Sequence, residues 1–191
     1  MKGLTVVGLD YSAAALEIAT QIRNEFRVLS KGVFHLVQGE ASSLPFTQES
    51  FHGIILADIV EHLHPWQLDM LYSECGRLLR PSGRVIIHTW PNLWHTKFTY
   101  PFVAALNRLL GSRRPLDHRK PHDRVLHVNE QSILSLKEGL RKAGFKIEHS
   151  WCEHDCVFSW NPNQLAYWLF HRIPGVRLMF ADHLWVLARK R

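Results

Sequence analysis

Apolar residues along the chain fall into two alternating kinds of block. Leu4–Leu9, Val33–Val37, Gly53–Ala57 and Arg84–Thr89 are short, continuous runs rich in β-branched residues, the pattern of strands. Between them, apolar residues recur at helical spacing. Ala15, Ile18, Ala19, Ile22 and Phe26 follow Ser12, a good capping residue. Leu68, Leu71, Tyr72, Cys75, Leu78 and Leu79 follow Pro65, which suits a first helical turn, and Pro81-Ser82-Gly83 predicts the stop. Asn129 is placed to cap a further helix carrying Ile133, Leu136, Leu140 and Ala143, ended by Gly144. Lys146–Trp151 and His183–Ala188 read as two late strands. Pro91 to Val128 is long for a connection and predicts a helix of its own over Pro101–Leu110; insertions of this length are usually functional.

The early strands are apolar throughout rather than alternating. That predicts a parallel sheet covered on both faces, and so an α/β, Rossmann-like, doubly wound and mostly parallel architecture with a helical insertion and a C-terminal antiparallel hairpin. One domain is expected over 1–191, with 91–128 as an insertion or lid and 146–191 as C-terminal strands and an aromatic segment. The composition of the 191 residues, 46% hydrophobic and 21% charged, excludes a disordered tail, a collagen-like repeat and a disulfide-knit miniprotein. Three cysteines, Cys75, Cys152 and Cys156, make no secreted framework and point to a reducing compartment. The first ten residues lack the apolar stretch of a signal peptide, and no run of about 18 apolar residues occurs. The expected localisation is cytoplasmic.

Charge changes the picture in one place. The formal net charge is +6, and most of it sits between Arg108 and Arg124, where Arg108, Arg113, Arg114, Arg119, Lys120 and Arg124 meet only Asp117 and Asp123. Such a block is either a solvated loop or a patch for an anionic partner. Directly ahead of it, Phe98, Tyr100, Phe102, Val103, Leu106, Leu109 and Leu110 form an apolar stretch. Trp160, Tyr167, Trp168, Leu169, Phe170 and Phe180 form a second. Both regions suit a lid over an apolar, small-molecule or lipid-like acceptor site, or peripheral membrane contact through 98–124. No RNA-binding signature accompanies the basic residues, so nucleic acid is not an expected partner.

Ligands of open α/β sheets bind beyond the C-terminal ends of the strands. Asp10, Glu40 and Asp58 lie at three such ends, and an acid there can accept both hydrogen bonds of a ribose diol. His62, His64, His88 and His127 are candidates for proton transfer. His149, Cys152, His154 and Cys156 stand close together, but alternate strand residues face opposite ways, and no second pair at zinc-site spacing follows. No metal site is expected.

Four segments also carry a family resemblance. Val6-Val7-Gly8-Leu9-Asp10-Tyr11-Ser12 resembles the second strand of class I S-adenosylmethionine-dependent methyltransferases of the type 11 kind. Gly39-Glu40-Ala41 with Leu44-Pro45-Phe46 and Ser50-Phe51 resembles that family's G-D-A-x-x-L-P-F segment. Ile55-Leu56-Ala57-Asp58-Ile59-Val60-Glu61-His62-Leu63 resembles its fourth motif, and Leu78-Leu79-Arg80-Pro81-Ser82-Gly83-Arg84 its L-K-P-G-G turn. The resemblance runs in order from Leu4 to Thr89.

It implies S-adenosylmethionine as cofactor. Asp10 would bind the ribose hydroxyls, Tyr11 would pack near the adenine, and Glu40 would face the adenine amino group, with Ala41 offering its backbone N–H. Ala57 and Asp58 would lie near the methionine moiety. His62 would lie at the cofactor end of the substrate pocket as the first-choice catalytic residue. The family's first motif, a strand and an acid-x-G-x-G turn, belongs before Leu4, where only Met1-Lys2-Gly3 stand. An N-terminally truncated sheet is therefore expected, in which the strands at Leu4 and Gly53 lack the one between them and cofactor binding is impaired. Two readings of function follow: methyl transfer to a small or lipid-like acceptor, or a non-catalytic remnant or interaction protein. A nicotinamide-dependent oxidoreductase would use Asp10 equally well, but the Glu61-His62-Leu63 and Pro81-Ser82-Gly83 context belongs to methyltransferases.

Overall fold

Val6, Val7 and Leu9 build strand β1 (Thr5–Asp10), which pairs in parallel with β2 (Val33–Gln38), with Asp10 opposite Gln38. Helix α1 (Ala13–Phe26) makes the crossover. Its start is set by two short contacts: the Ser12 N–H donates to Asp10 Oδ1 at 2.8 Å, and the Ala15 N–H donates to Ser12 Oγ at 3.3 Å. The buried face of α1 differs from the predicted stripe. Ile18 and Ile22 are 59% and 50% exposed, while Ala15, Leu16, Ala19 and Thr20 are half-buried. Two strands cover only a narrow strip of helix.

These elements make up the first of two compact units, Met1–Thr47 and Gln48–Arg191. The computed structural model describes residues 3–26, 32–109, 111, 115–117, 119–153, 172–173 and 175–191. The aromatic residues from Trp160 to Phe170, together with His154, Cys156, Arg113, Arg114 and His118, lie outside the described residues.

The second unit is a four-stranded sheet in the order β3-β4-β6-β5, built from β3 (Phe51–Ala57), β4 (Leu79–Thr89), β5 (Phe145–Glu153) and β6 (His183–Lys190). β3 and β4 are parallel, joined through helix α2 (Pro65–Leu78); β6 runs antiparallel to both β4 and β5. The parallel pairs β1–β2 and β3–β4, each joined by a helix, are the Rossmann-like α/β arrangement. The α2 stripe is buried as its spacing predicts: Leu68, Leu71, Tyr72, Cys75 and Leu78 join Val85, Ile87, Leu136, Leu140, Phe145, Leu184 and Val186 in one core. Cys75 and Cys152 are buried free thiols.

Four boundaries depart from the expected ones. Helix α2 ends at Leu78, and Leu79 already pairs with Phe51; the register then jumps to Gly53 opposite Arg84, so Arg80–Gly83 bulges out of β4. Ser82 turns that bulge with a φ of 63°. Helix α3 (Tyr100–Leu109) is preceded by a π-helical turn, His95–Thr99. A short helix α4 (Pro121–Leu126), which its sequence did not announce, starts where Asp123 Oδ2 accepts the Lys120 N–H at 3.0 Å. Helix α5 (Ile133–Lys142) is capped by Ser132, not Asn129: Ser132 Oγ accepts the Ser135 N–H, and Ser135 Oγ accepts the Ser132 N–H in return. The predicted terminator Gly144 holds a φ of 87°.

Strands apolar on both faces are not covered on both faces here. Ile55 on β3 is 70% exposed and Val6 on β1 is 44% exposed. Among the described residues, β1 pairs only with β2 and β3 only with β4, so each is an edge strand. No helix of the described residues is long and apolar enough to cross a membrane.

Helices α2 and α5 approach closely at Gly139. A Cβ on Gly139 would stand 2.8 Å from Cε2 of Tyr72, a ring that is 1% exposed. Ala normally favours a helix over Gly by about 1 kcal/mol. Overpacking against a ring with no room to move costs about 1–3 kcal/mol, so Gly139→Ala is expected to lower unfolding stability by about 1 kcal/mol. A denaturant titration showing a stabilised variant would contradict this packing.

Candidate functional site

The first unit offers one group of expected residues. Asp10 ends β1 half-buried, with Oδ1 accepting the Ser12 N–H at 2.8 Å. The Gly39 N–H donates to the Asp10 carbonyl, which brings the Gly39-Glu40-Ala41 turn beside it. Tyr11 is 77% exposed, its carbonyl accepting Gln38 Nε2–H at 3.0 Å. Glu40 is exposed, with Ser42 Oγ–H at 3.5 Å, and Ala41 is half-buried. Asp10, Tyr11, Glu40 and Ala41 thus share the C-terminal end of the β1–β2 pair, as expected of parallel strands.

The second unit holds the rest. Ala57 ends β3, and Asp58 follows with a φ of 50°, left-handed backbone that Asp tolerates better than most residues. The Asp58 N–H donates to the His88 carbonyl at 3.1 Å, and its Oδ1 accepts from His88 Nδ1 at 2.8 Å. His88 Nε2 lies 3.0 Å from His183 Nδ1, and the His88 ring leans on Trp185, which stacks on Trp151 across the β5–β6 pair. Asp58 therefore addresses an imidazole chain that strand-end reasoning had not foreseen.

After Asp58 the chain makes a 3-10 turn, Val60–His62. Glu61 points inward and is 1% exposed. Thr89 Oγ–H, at the end of β4, donates to Glu61 Oε2 at 2.7 Å. Burial pushes the Glu61 carboxyl above the usual carboxylate range, against the pull of the Thr89 hydroxyl and the neighbouring imidazole. His62 points outward. Its Nδ1 lies 3.2 Å from the Leu126 carbonyl, which can only accept, so Nδ1 carries the proton and Nε2 presents its lone pair. His127, just past α4, meets the His62 ring edge-on at a centroid distance of 4.8 Å. Burial, with the His62 ring beside it, lowers the His127 pKa. The Asn129 N–H, free of the capping duty expected of it, donates to the Glu61 carbonyl at 3.0 Å. Of the four histidines read from the sequence, His62 and His127 come together, His88 joins Asp58, and His64 remains exposed at the start of α2. Glu61, Thr89 and His183 were not singled out. The Glu61-His62 pair was visible only as part of a motif, and Thr89 is remote in sequence.

The basic block reads differently in the structure. Arg119 is clamped between Asp117 at 2.9 Å and Glu130 at 2.7 Å, and Arg124 also reaches Asp117 at 3.3 Å. These cations serve the fold of the insertion, and Glu130, outside the block as counted, supplies part of the neutralisation. The apolar stretch ahead of it stays open: Phe98, Phe102, Leu106 and Leu109 are 57%, 69%, 51% and 83% exposed, at spacings that put them on one helical face.

Comparison with known proteins agrees with this arrangement. Residues 1–87 match a family described as methyltransferase domain. A protein of Mycolicibacterium smegmatis named as an S-adenosylmethionine-dependent methyltransferase is 27% identical over 143 residues, 75% of this chain and 44% of that protein. A 2-phytyl-1,4-naphtoquinone methyltransferase of Thermosynechococcus vestitus is 30% identical over 103 residues, 54% of this chain and 39% of that protein. The chain spans less than half the length of these curated relatives. The crystal structure of a SAM-dependent methyltransferase from Methanosarcina mazei superimposes with a TM-score of 0.66 at 17% identity, over 99% of this chain and 83% of that one.

The Asp117 cluster makes a pH dependence measurable. The Arg119 guanidinium holds the Asp117 carboxyl down to about 2, against about 3.9 in an unfolded chain. A depressed carboxylate contributes stability above its unfolded value and loses it as the pH falls toward the folded one. The carboxyl carbon of Asp117, followed by NMR, is therefore expected to titrate near pH 2, and Arg119→Ala to bring it back toward the ordinary range. A midpoint near 4 in the unaltered protein would contradict the clamp.

Proposed function

We propose that this chain, whose residues 1–87 match a methyltransferase domain and whose fold is that of a SAM-dependent methyltransferase of known structure, is a class I S-adenosylmethionine-dependent methyltransferase that transfers a methyl group to a small-molecule or lipid-like acceptor. The observation that carries the reading is Asp10: a half-buried carboxylate at the C-terminal end of a parallel strand, with one oxygen fixed by the Ser12 N–H. The family resemblance gives each residue a role toward that family's cofactor: in the first unit Asp10 would accept the ribose hydroxyls, the exposed Tyr11 ring would pack on the adenine, Glu40 would face its amino group and Ala41 would offer its N–H. In the second unit the resemblance assigns Ala57 and Asp58 to the methionine end. S-adenosylmethionine supplies, when bound, an activated methyl on a sulfonium, so the protein's share is alignment and exclusion of water. His62 takes the acceptor's proton at Nε2, its ring held by the Leu126 carbonyl.

Two observations support an apolar acceptor approached from a membrane surface. One is the exposed face of Phe98, Phe102, Leu106 and Leu109. The other is the relative named for a phytylated naphthoquinone. A second reading, an interaction protein that keeps the fold without the chemistry, is favoured by the one-sided pairing of β1 and β3, whose open edges can accept a strand from another chain. One titration separates the two. Calorimetry with S-adenosylhomocysteine is expected to show saturable binding that Asp10→Asn weakens about tenfold to a hundredfold, the loss of a charge-assisted hydrogen-bond pair. No binding by the folded protein would sink the methyltransferase reading and leave the interaction reading.

A further inference from the structure

From the 3-10 turn and the end of α4 we infer a binding site for one first-row divalent metal ion, with Zn²⁺ as its reference occupant, held by Glu61, His62 and His127. One ligand atom from each of the three lies within 4.8 Å of the other two. Ligand atoms about 2.0–2.2 Å from a metal lie up to about 4 Å apart, so a small rotation of the outward-facing His62 ring closes the set. The set mixes two imidazoles with one carboxylate. That chemistry suits Zn²⁺ and its transition-metal neighbours, and disfavours Ca²⁺ and Mg²⁺, which take oxygen ligands.

The surroundings are those of a prepared ligand set. His62 Nδ1–H is engaged by the Leu126 carbonyl, the backbone contact that fixes a ligating imidazole with Nε2 toward the metal. Glu61 Oε2 is engaged by the Thr89 hydroxyl, which leaves Oε1. Oε1 stands 4.0 Å from His62 Nε2, too far for a hydrogen bond, so a carboxyl oxygen and an imidazole lone pair face each other with nothing to join them. His127 Nδ1 is buried and has no hydrogen-bond partner, a state that calls for an ion or a water. The third ligand is braced as well: the loop carrying His127 is tied to the turn by the bond from the Asn129 N–H to the Glu61 carbonyl. The side chain of Glu61 is 2% exposed and that of His62 39%, so an ion enters past His62 and keeps an open position on that side. Three protein ligands with one open position is the pattern of a reactive rather than a purely structural zinc site. An oxygen bound there has its pKa lowered. An ion held there occupies the His62 Nε2 lone pair, so the proton-accepting role proposed for His62 belongs to the metal-free chain; the site itself does not depend on cofactor binding.

The test uses the full chain, stripped with a chelator and dialysed. Titration with Zn²⁺ in a competing chelator, and with Co²⁺ read by its visible d–d absorption, is expected to give one ion per chain. His127→Ala and His62→Ala are each expected to weaken binding at least tenfold, and Mg²⁺ not to compete. Glu61→Gln should do the same; should that variant not fold, the two histidine variants decide. His149→Ala, altering the other cluster of possible ligands, is expected to change nothing. Absence of binding to the folded protein overturns the site. So does binding that survives in the double variant His62→Ala, His127→Ala. S-adenosylhomocysteine affinity is measured separately on the same samples, so the loss of one property leaves the other standing.

Discussion

A carboxyl taken out of water must find partners or stay unfavourable by several kcal/mol, and Glu61 at 1% exposure imposes that requirement on its surroundings. Thr89 meets it from the end of β4. The backbone of the same residue takes the Asn129 N–H from the stretch ahead of α5. His62 is turned outward by being next in a tight 3-10 turn, and Leu126 at the end of α4 receives its ring. The strand end, α4 and the stretch ahead of α5 are thereby tied to one short turn: Thr89 to the Glu61 side chain, Asn129 to its backbone carbonyl, and Leu126 to the ring of His62.

Much of the fold was legible because it rests on local pattern. The α2 stripe from Leu68 to Leu78 is buried where its spacing put it, and Gly144, just past the end of α5, holds the left-handed backbone that glycine adopts without strain. What was not legible depends on partners far along the chain. Asn129 and Ser132 are both capping residues, three positions apart. Ser132 is the cap because its Oγ accepts the Ser135 N–H while Ser135 Oγ accepts the Ser132 N–H; Asn129 instead donates its N–H to the Glu61 carbonyl. Counted along the chain, the charges of the basic insertion suited either a solvated loop or a patch for an anionic partner. In space Arg119 and Arg124 close on Asp117, with Glu130 completing the cluster. The edge position of β3 was legible, since the strands at Leu4 and Gly53 were expected to lack the one between them; among the described residues β3 pairs only with β4, and Ile55 is 70% exposed.

The candidate site divides in the same way. Asp10 and the turn after β2 could be read from the sequence because a parallel strand delivers its C-terminal residue to the ligand end whatever else surrounds it. The group around Glu61 could not, since its chemistry arises from the meeting of His62 with His127 and from the Thr89 hydroxyl. On the proposed function, residues of the first kind answer to a cofactor shared by a family and residues of the second kind to the acceptor, since function resides in sites rather than in the fold.

The central claim is that the buried Glu61–Thr89 contact organises the site, and a double-mutant cycle in denaturant unfolding tests it most directly. Thr89→Val is expected to cost about 1–3 kcal/mol in the unaltered protein, and almost nothing once Glu61→Met has removed the acceptor. Equal costs of Thr89→Val in the two backgrounds would show that the two side chains act independently, and would contradict the account.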